Sequence, residues 1–196
     1  MQLPIFDLNH TNSTHLDLVL HGGSKGRDSS FMQKLITRSK ETGNSVLAFD
    51  FPYLTKGANP SEGLVDEVRA LEEVLTLVKT LGYQQVRFVA KSLGGIVAAK
   101  VLNKLSKEEQ SPYSITVYGY AMPYINLDNF HGEITVVHGD NDRHGSVAEV
   151  EQNLATSPSK NVKIIEIKGA DHSYNKEDSK ENEAIEAGYS RTTITV

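Results

Sequence analysis

Three residues in this sequence have the types and the order needed for nucleophilic catalysis by a serine. They are Ser92, Asp142 and His172, and each stands just after a short apolar run. A serine hydroxyl becomes a useful nucleophile when a base removes its proton and a third group orients that base. If the apolar runs are parallel strands, their carboxyl ends meet at one edge of a sheet, where open sheets of this kind bind ligands. The pattern therefore predicts acyl transfer through Ser92.

The segment around Ser92 has the form of a sharp strand–turn–helix hinge. An apolar run at residues 85–90 stops just before the serine, and a helix-like segment follows at 96–105. In the nucleophile elbow Gly-x-Ser-x-Gly, the serine backbone is strained and the residues two positions either side must be small. Here those residues are Ala90 and Gly94, so alanine replaces the first glycine. Taken alone, the segment also fits an ordinary strand-to-helix turn with a serine N-cap.

A glycine-rich loop follows the apolar run at residues 16–20. Its sequence is His21-Gly22-Gly23. Loops of this kind offer a backbone N–H to a developing oxyanion, and a second N–H comes from the residue after the nucleophile. A flexible turn without chemistry is the alternative for such a motif on its own. Its position after an apolar run and before the hinge favours an oxyanion hole.

Together these motifs resemble those of the α/β-hydrolase superfamily, and the match extends over almost the whole chain. The resemblance implies that Ser92 is the nucleophile, Asp142 the acid and His172 the base. It also implies that the backbone amides of Gly23 and Leu93 donate to the oxyanion.

The chain is similar in particular to a small, lidless, dienelactone-hydrolase-like branch of serine hydrolases. The similarity is carried by Asp50-Phe51-Pro52-Tyr53 and by residues 91–95. Dienelactone hydrolases proper use a cysteine nucleophile, and this chain has no cysteine. The expected fold is α/β: one α/β-hydrolase domain over residues 1–196, with a mainly parallel sheet of at least six strands, helices on both faces and no lid domain.

Two aspartates compete for the position of the acid. In the superfamily pattern the acid stands three residues after the glycine that ends the strand, here Gly139. This spacing selects Asp142 and leaves Asp140 as a loop or surface residue. His172 lies in a loop of small residues at 169–173, which suits a base that must reach the nucleophile. A histidine on a surface loop is the alternative.

Two other functions compete with a serine esterase that cleaves small, soluble esters or thioesters. The first is metal-dependent hydrolysis, because His138, Asp140, Asp142 and His144 lie within seven positions. Alternating ligands around one turn rarely converge on one ion, so we expect no metal and no cofactor. The second is a binding protein with the same fold and no turnover, since a fold alone does not prove activity.

The cations near the predicted loops leave two interpretations open. They are Lys25, Arg27, Lys91 and Arg143. They could recognise an ester that carries a carboxylate or a phosphate. They could equally be solvated surface cations on an acidic protein.

Composition excludes several classes of protein. The 196 residues carry a net charge of -5 and include no cysteine. An acidic chain has no electrostatic basis for binding nucleic acid or anionic membranes, and disulfides and thiolate metal sites are excluded. The N-terminus lacks a signal-peptide pattern, and no run approaches the roughly 20 apolar residues of a membrane span. We therefore expect a cytoplasmic protein whose partner is a small-molecule substrate.

Apolar runs and helix-like segments alternate along the chain, as in a parallel sheet covered by helices. The predicted strands lie at residues 16–20, 45–49, 85–90, 114–118, 134–138 and 162–167. The predicted helices lie at residues 30–41, from Pro60 after a capping asparagine, just after Ser92, and from a capping box at 146–149.

Two further segments bear on access to the site. The interval between the strands at 114–118 and 134–138 has no room for a helical lid, which predicts an open site. The tail at 175–196 is polar and acidic, and we expect a loosely packed last helix there, with residues 192–196 frayed.

Overall fold

The computed structural model describes residues 6–174 and 178–190, and at its centre is a sheet of seven strands. The strands are β1 (Phe6–Asn9), β2 (His15–Leu20), β3 (Ser45–Phe49), β4 (Gln85–Lys91), β5 (Tyr113–Tyr118), β6 (Glu133–Gly139) and β7 (Val162–Ile167). Their order across the sheet is β1-β3-β2-β4-β5-β6-β7. β1 pairs antiparallel with β3, and the other neighbours are parallel. The carboxyl ends of the parallel strands therefore lie at one edge.

Helices cover both faces of this sheet. They are α1 (Ser30–Glu41), α2 (Pro52–Thr55), α3 (Val65–Thr80), α4 (Leu93–Leu102), α5 (Val147–Leu154) and α6 (Asp178–Tyr189). The buried side chains of α3, α4 and α5 belong to one apolar cluster, and those of α1 and α6 belong to a second. Parallel strands buried on both faces appear as mainly apolar runs, and β3 is buried at all five of its residues.

The predicted α/β-hydrolase fold is confirmed. All six predicted strands form, and their limits agree with the prediction to within one residue at each end. The capping box at residues 146–149 also forms at the start of α5. β1 was not predicted, because its four residues only alternate between partly buried and exposed positions. So short an alternation at a sheet edge gives little periodic signal.

The prediction for α3 is wrong at its start. The helix begins at Val65 rather than at Pro60. Gly63 and Leu64 have positive φ angles of 65 and 63°, which interrupt the helical path. The Ser61 hydroxyl accepts a backbone N–H of the first helical turn at 2.9 Å. The polar residues near Pro60 therefore form a turn that leads into the helix.

The prediction of a loosely packed last helix is also wrong for the described part of the tail. Ala184 and Ile185 on α6 are 0 and 3% exposed. A Cβ atom at Gly188 would lie 2.1 Å from the Tyr118 hydroxyl, so the helix packs closely on the sheet. Ala184 and Gly188 are small, and small residues allow this close approach. Residues 192–196, predicted to be frayed, lie outside the described residues.

Among the described residues, no helical insertion between β5 and β6 caps the carboxyl edge of the sheet. Residues 119–132, which join β5 to β6, form turns and extended segments without a helix. The predicted absence of a lid is confirmed for this interval. Within the described part of the chain, no helix is long and apolar enough to cross a membrane.

Candidate active site

Ser92 occupies a sharp turn between β4 and α4. Its φ and ψ angles are 47 and -109°, a region that residues other than glycine rarely adopt. A Cβ atom at Gly94 would lie 2.6 Å from the backbone oxygen of Leu20, which cannot move aside cheaply. Ala90 is fully buried. The small residues on either side of the serine therefore have a steric cause, and the turn has the geometry of a nucleophile elbow.

A chain of hydrogen bonds joins Ser92, His172 and Asp142. Ser92 Oγ lies 2.8 Å from His172 Nε2, and His172 Nδ1 lies 2.7 Å from Asp142 Oδ2. An ionised carboxylate only accepts hydrogen bonds, so Nδ1 carries the ring proton and donates it to Asp142. The lone pair of Nε2 then accepts the serine hydroxyl. The structure thus brings together all three residues that the sequence singles out for catalysis.

The surroundings of this chain set the charges of its members. Burial, the largest effect, lowers the pKa of His172, the positive charge of Lys91 acts in the same direction, and the hydrogen bond to Asp142 opposes both. Burial alone would raise the pKa of Asp142. Hydrogen bonds from His172 and from the N–H of His144 outweigh burial and hold that pKa below its usual value. A neutral imidazole beside a charged carboxylate is the state in which a base can take a proton from serine.

The two competing aspartates have different neighbours. Asp142, whose side chain is fully buried, faces the imidazole and also accepts the N–H of His144 at 2.8 Å. Asp140 is exposed, and its Oδ1 accepts the N–H of Gly169 at 2.7 Å. Asp140 therefore ties the loop after β6 to the loop after β7. The spacing from Gly139 distinguishes the same two roles.

The remaining histidines near the site do not form a metal centre. His138 is fully buried, its Nε2–H donates to the Gly145 oxygen at 2.8 Å, and its Nδ1 accepts the Tyr120 N–H at 3.2 Å. His144 is partly exposed, and its ring centroid lies 4.4 Å from that of His172. Across residues 6–174 and 178–190, no three His, Cys, Asp or Glu side chains are grouped to hold a metal ion.

The loop after β2 is held by a buried histidine. His21 Nδ1–H donates to the Gly22 oxygen at 2.6 Å, and His21 Nε2 accepts the Phe51 N–H at 2.9 Å. The Tyr53 hydroxyl is a second donor to the Gly22 oxygen, at 3.3 Å. A trans peptide points its C=O and the following N–H in opposite directions, so these bonds aim the Gly23 N–H away from His21. Burial lowers the pKa of His21, which favours the neutral ring that this arrangement requires.

The two expected oxyanion donors lie on neighbouring loops beside Ser92. Leu93 is the first residue of α4, so no carbonyl of its own helix reaches its N–H. A Cβ atom at Gly23 would lie 3.9 Å from Leu93 Cδ1, which places the two loops in contact. Sequence reasoning did not assign the supporting roles of His21 and Tyr53. Both residues belong to the motifs that carried the family resemblance.

A cavity of about 420 Å³ opens beside Ser92. The loop after β2, the first turn of α1 and the loops that carry Asp142 and His172 form its walls. Phe31 and Met32 supply apolar surface on the α1 side. A substrate in this cavity would therefore lie against Ser92 and against Gly23, one of the two expected oxyanion donors.

The four cations near the site fall into different environments. Lys25, Lys91 and Arg143 line the cavity, and Lys25 and Arg143 are exposed. Arg27 does not line it, because its Nε lies 3.2 Å from Asp50 Oδ2. Lys91 is 8% exposed, so it is not a solvated surface cation. Burial lowers the pKa of Lys91 to about 8.

A family comparison agrees with this geometry. A family profile described as an alpha/beta hydrolase domain matches residues 14–192. The chain belongs to the alpha/beta hydrolase family. Within that family the nucleophile elbow and the glycine-rich loop after β2 are the parts expected to carry chemistry. Among curated protein sequences, none matches this chain.

Several solved structures of other proteins share the fold. An alpha-beta serine hydrolase homologue from Coxiella burnetii has a TM-score of 0.77 and 17% identity, covering 96% of this chain and 93% of its own. A serine hydrolase without lid from Xanthomonas campestris has a TM-score of 0.68 and 17% identity, covering 93 and 85%. Est1E from Butyrivibrio proteoclasticus, bound to ferulic acid, has a TM-score of 0.70 and 14% identity, covering 94 and 92%. At these identities the likeness shows the fold.

Proposed function

We propose that this alpha/beta hydrolase is a serine esterase that cleaves small, soluble ester or thioester substrates through an acyl-enzyme on Ser92. The proposal rests above all on the hydrogen-bonded chain from Ser92 Oγ through His172 to Asp142, with distances of 2.8 and 2.7 Å. Proteins of the same fold include a monoacylglycerol lipase from Paleococcus ferrophilus and the ferulic-acid-bound Est1E. Their names support an esterase-type reaction for this chain.

The reaction follows from the positions of these groups. Ser92 Oγ attacks the acyl carbon as His172 Nε2 takes its proton, and the carbonyl electron pair moves onto the oxygen. The N–H groups of Gly23 and Leu93 donate to this oxyanion. Asp142 stabilises the imidazolium. When the intermediate collapses, the bond to the alcohol or thiol breaks, and the leaving group takes the proton from Nε2. Water then attacks the acyl-enzyme through the same steps and releases the acid. No step needs a metal or a cofactor.

The shape of the site supports small substrates. A cavity of about 420 Å³, with no helical insertion over it from the described residues between β5 and β6, offers little apolar surface to a long acyl chain. Short acyl chains are therefore the expected substrates. The lack of cysteine supports a cytoplasmic location for this reaction.

Labelling with a fluorophosphonate probe tests the proposal. The probe should attach to Ser92, identified by mass spectrometry, and the protein should hydrolyse short 4-nitrophenyl esters faster than long ones. Ser92→Ala should abolish labelling and lower kcat by about a millionfold while leaving thermal unfolding nearly unchanged. Ser111→Ala, an exposed serine that does not line the cavity, is the matched control.

Other results would redirect the proposal. Activity that survives Ser92→Ala but disappears with a chelator would move the chemistry to a metal. No labelling and no turnover across the ester panel would favour a binding protein with this fold.

A further inference from the structure

His172 is held at two points by consecutive residues. Ser92 Oγ contacts the imidazole Nε2 at 2.8 Å, and Lys91 Nζ donates a short hydrogen bond to the backbone oxygen of the same histidine. The ring and the backbone of His172 are thus both connected to the carboxyl end of β4. This contact joins the loop after β7 directly to the nucleophile turn.

The site provides a specific enclosure for the Lys91 ammonium group. Nζ lies 5.1 Å from the ring centroid of Tyr174 and 6.0 Å from that of Phe31, within the range of cation–π attraction. A Cβ atom at Gly119 would lie 2.7 Å from Nζ and 3.0 Å from His172 Cε1. Any larger residue at 119 would displace the lysine or the histidine. The glycine therefore makes room for both groups.

The charged groups around Lys91 do not neutralise it by a direct ion pair. Asp142 and Asp171 attract its charge at longer range. Glu181, on α6, lines the same cavity, but its Oε2 lies 2.7 Å from Lys34 Nζ. Within the described part of the chain, no carboxylate oxygen is within 4.0 Å of Lys91 Nζ. Burial lowers the pKa of Lys91 only to about 8, so the ammonium group is still mostly charged near neutral pH, and no paired carboxylate offsets the effect of that charge on its neighbours.

The imidazole of His172 faces charges of both signs. Asp142 Oδ2 lies 2.7 Å from Nδ1 and favours a protonated ring. Lys91 disfavours a positive charge on the His172 ring, and so does His144, whose ring centroid is 4.4 Å away. A nearby cation disfavours the imidazolium form in a partly desolvated site. Lys91 and Asp142 therefore have opposite effects on the charge of the imidazole before the reaction: Lys91 favours the neutral ring, and Asp142 favours the protonated ring.

We propose that Lys91 is a positioning residue for the catalytic base, a role that rests on the proposed esterase function. It holds the backbone of His172 at the end of β4 through a hydrogen bond, and its charge adds to the effect of burial in keeping the imidazole neutral before the reaction begins. The first effect sets where Nε2 lies relative to Ser92 Oγ. The second sets how much of the base is ready to accept a proton.

The kinetic test replaces Lys91 with methionine, which has a similar shape but no charge and no donor. Lys91→Met should lower kcat about tenfold with little change in KM, because small misplacements of a catalytic group reduce the rate strongly. The acidic limb of kcat/KM should move to higher pH, because the imidazolium form becomes more stable. Lys91→Arg, which keeps the charge and a donor, should restore that limb. Lys100→Met, an exposed lysine of α4, is the control and should change neither value.

A second measurement does not depend on turnover. The proton resonances of the His172 ring, assigned by their loss in His172→Gln, are followed by NMR as a function of pH. The midpoint should lie below the ordinary histidine range in the unmodified protein and should rise in Lys91→Met. If Ser92 proves unreactive, the proposed function fails while this titration still decides the role of Lys91.

The outcomes that overturn the proposal are specific. An equal midpoint with and without the lysine charge would exclude the electrostatic role, and an unchanged kcat would exclude the positioning role. If Lys91→Met does not fold, as judged by thermal unfolding, Lys91→Leu is measured instead, because leucine also has no charge and no donor and the same directions are expected. A wild-type midpoint at or above the ordinary histidine range would also contradict the proposal without any variant.

Discussion

Two cations stand on the same face of β4, one near its start and one at its end, and their partners differ. Arg87 donates from Nε and Nη2 to the Asp17 carboxylate at 2.9 and 2.6 Å, and its guanidinium lies 4.3 Å from the Tyr189 ring. Lys91 donates to a backbone carbonyl and lies 5.1 Å from the Tyr174 ring. Each of the two cations therefore packs against a tyrosine ring. Among the described residues, Arg87 has a carboxylate partner and Lys91 has none.

The two cations therefore have different roles: the charge of Arg87 is neutralised within the fold, whereas the charge of Lys91 acts on the catalytic site. Asp17 is 1% exposed and also accepts the Ser39 hydroxyl, so its oxygens are well satisfied. A buried ion pair of this kind adds little to stability when present, but removing one partner is costly. Lys91 lies beside a cavity and has one hydrogen-bond acceptor within the described part of the chain. The charge of Lys91 can therefore influence the protonation of His172, whereas the charge of Arg87 is neutralised by its ion pair with Asp17.

Of the variants that test this comparison, the largest effect is expected at the catalytic site. Asp142→Asn should lower kcat about ten thousandfold, because an amide favours the wrong imidazole tautomer and cannot stabilise imidazolium. The matched control is Asp140→Asn, which weakens only the contact with the Gly169 N–H and should leave kcat within a fewfold of the wild type. Steady-state kinetics on a short 4-nitrophenyl ester compares them. Similar losses in both variants would contradict the assignment of Asp142 as the acid.

The next prediction concerns the ion pair of Arg87 near the start of β4. Asp17→Asn should lower the free energy of unfolding by about 3 to 5 kcal/mol, because Arg87 is left without its counter-charge. The value of kcat should not change at temperatures where the variant is folded, since Arg87 lies roughly 16 Å along the strand from Ser92. Denaturant unfolding and steady-state kinetics provide the two measurements.

A double variant controls for this result. Replacing both Asp17 and Arg87 with leucine removes both charges and should recover much of the lost stability. A fall in kcat without a fall in stability would break the distinction between the two ends of the strand.

The smallest effect is the pH dependence of activity. Burial first, and then the Lys91 charge, hold the pKa of His172 below its ordinary value of 6.5. The imidazole is neutral above its pKa, so kcat/KM should persist below pH 6.5 and fall only as the pH drops through the lowered value. The unfolded chain binds more protons than the folded one in this window, so stability should fall in the same direction. An acidic limb above pH 6.5 would contradict this order.

Much of the fold was predictable because parallel strands are buried on both faces and appear as apolar runs. The chemical residues were predictable for a related reason, since each follows such a run directly. The start of α3 was not, because a capping pattern at Pro60 does not reveal that Gly63 and Leu64 turn left-handed. The burial of Lys91 was not predictable either. It depends on Gly119 and Tyr174, which are far from it along the chain and meet it only in the folded structure.

The backbone of Ser92 has a consequence for how this protein can evolve. A φ of 47° at a residue other than glycine costs on the order of 1 to 3 kcal/mol, and glycine would adopt the same angle freely. Selection for thermal robustness alone would therefore favour losing the serine from this position. A lineage that keeps it accepts a less stable fold in return for a reactive hydroxyl, and stabilising changes must accumulate elsewhere in the molecule.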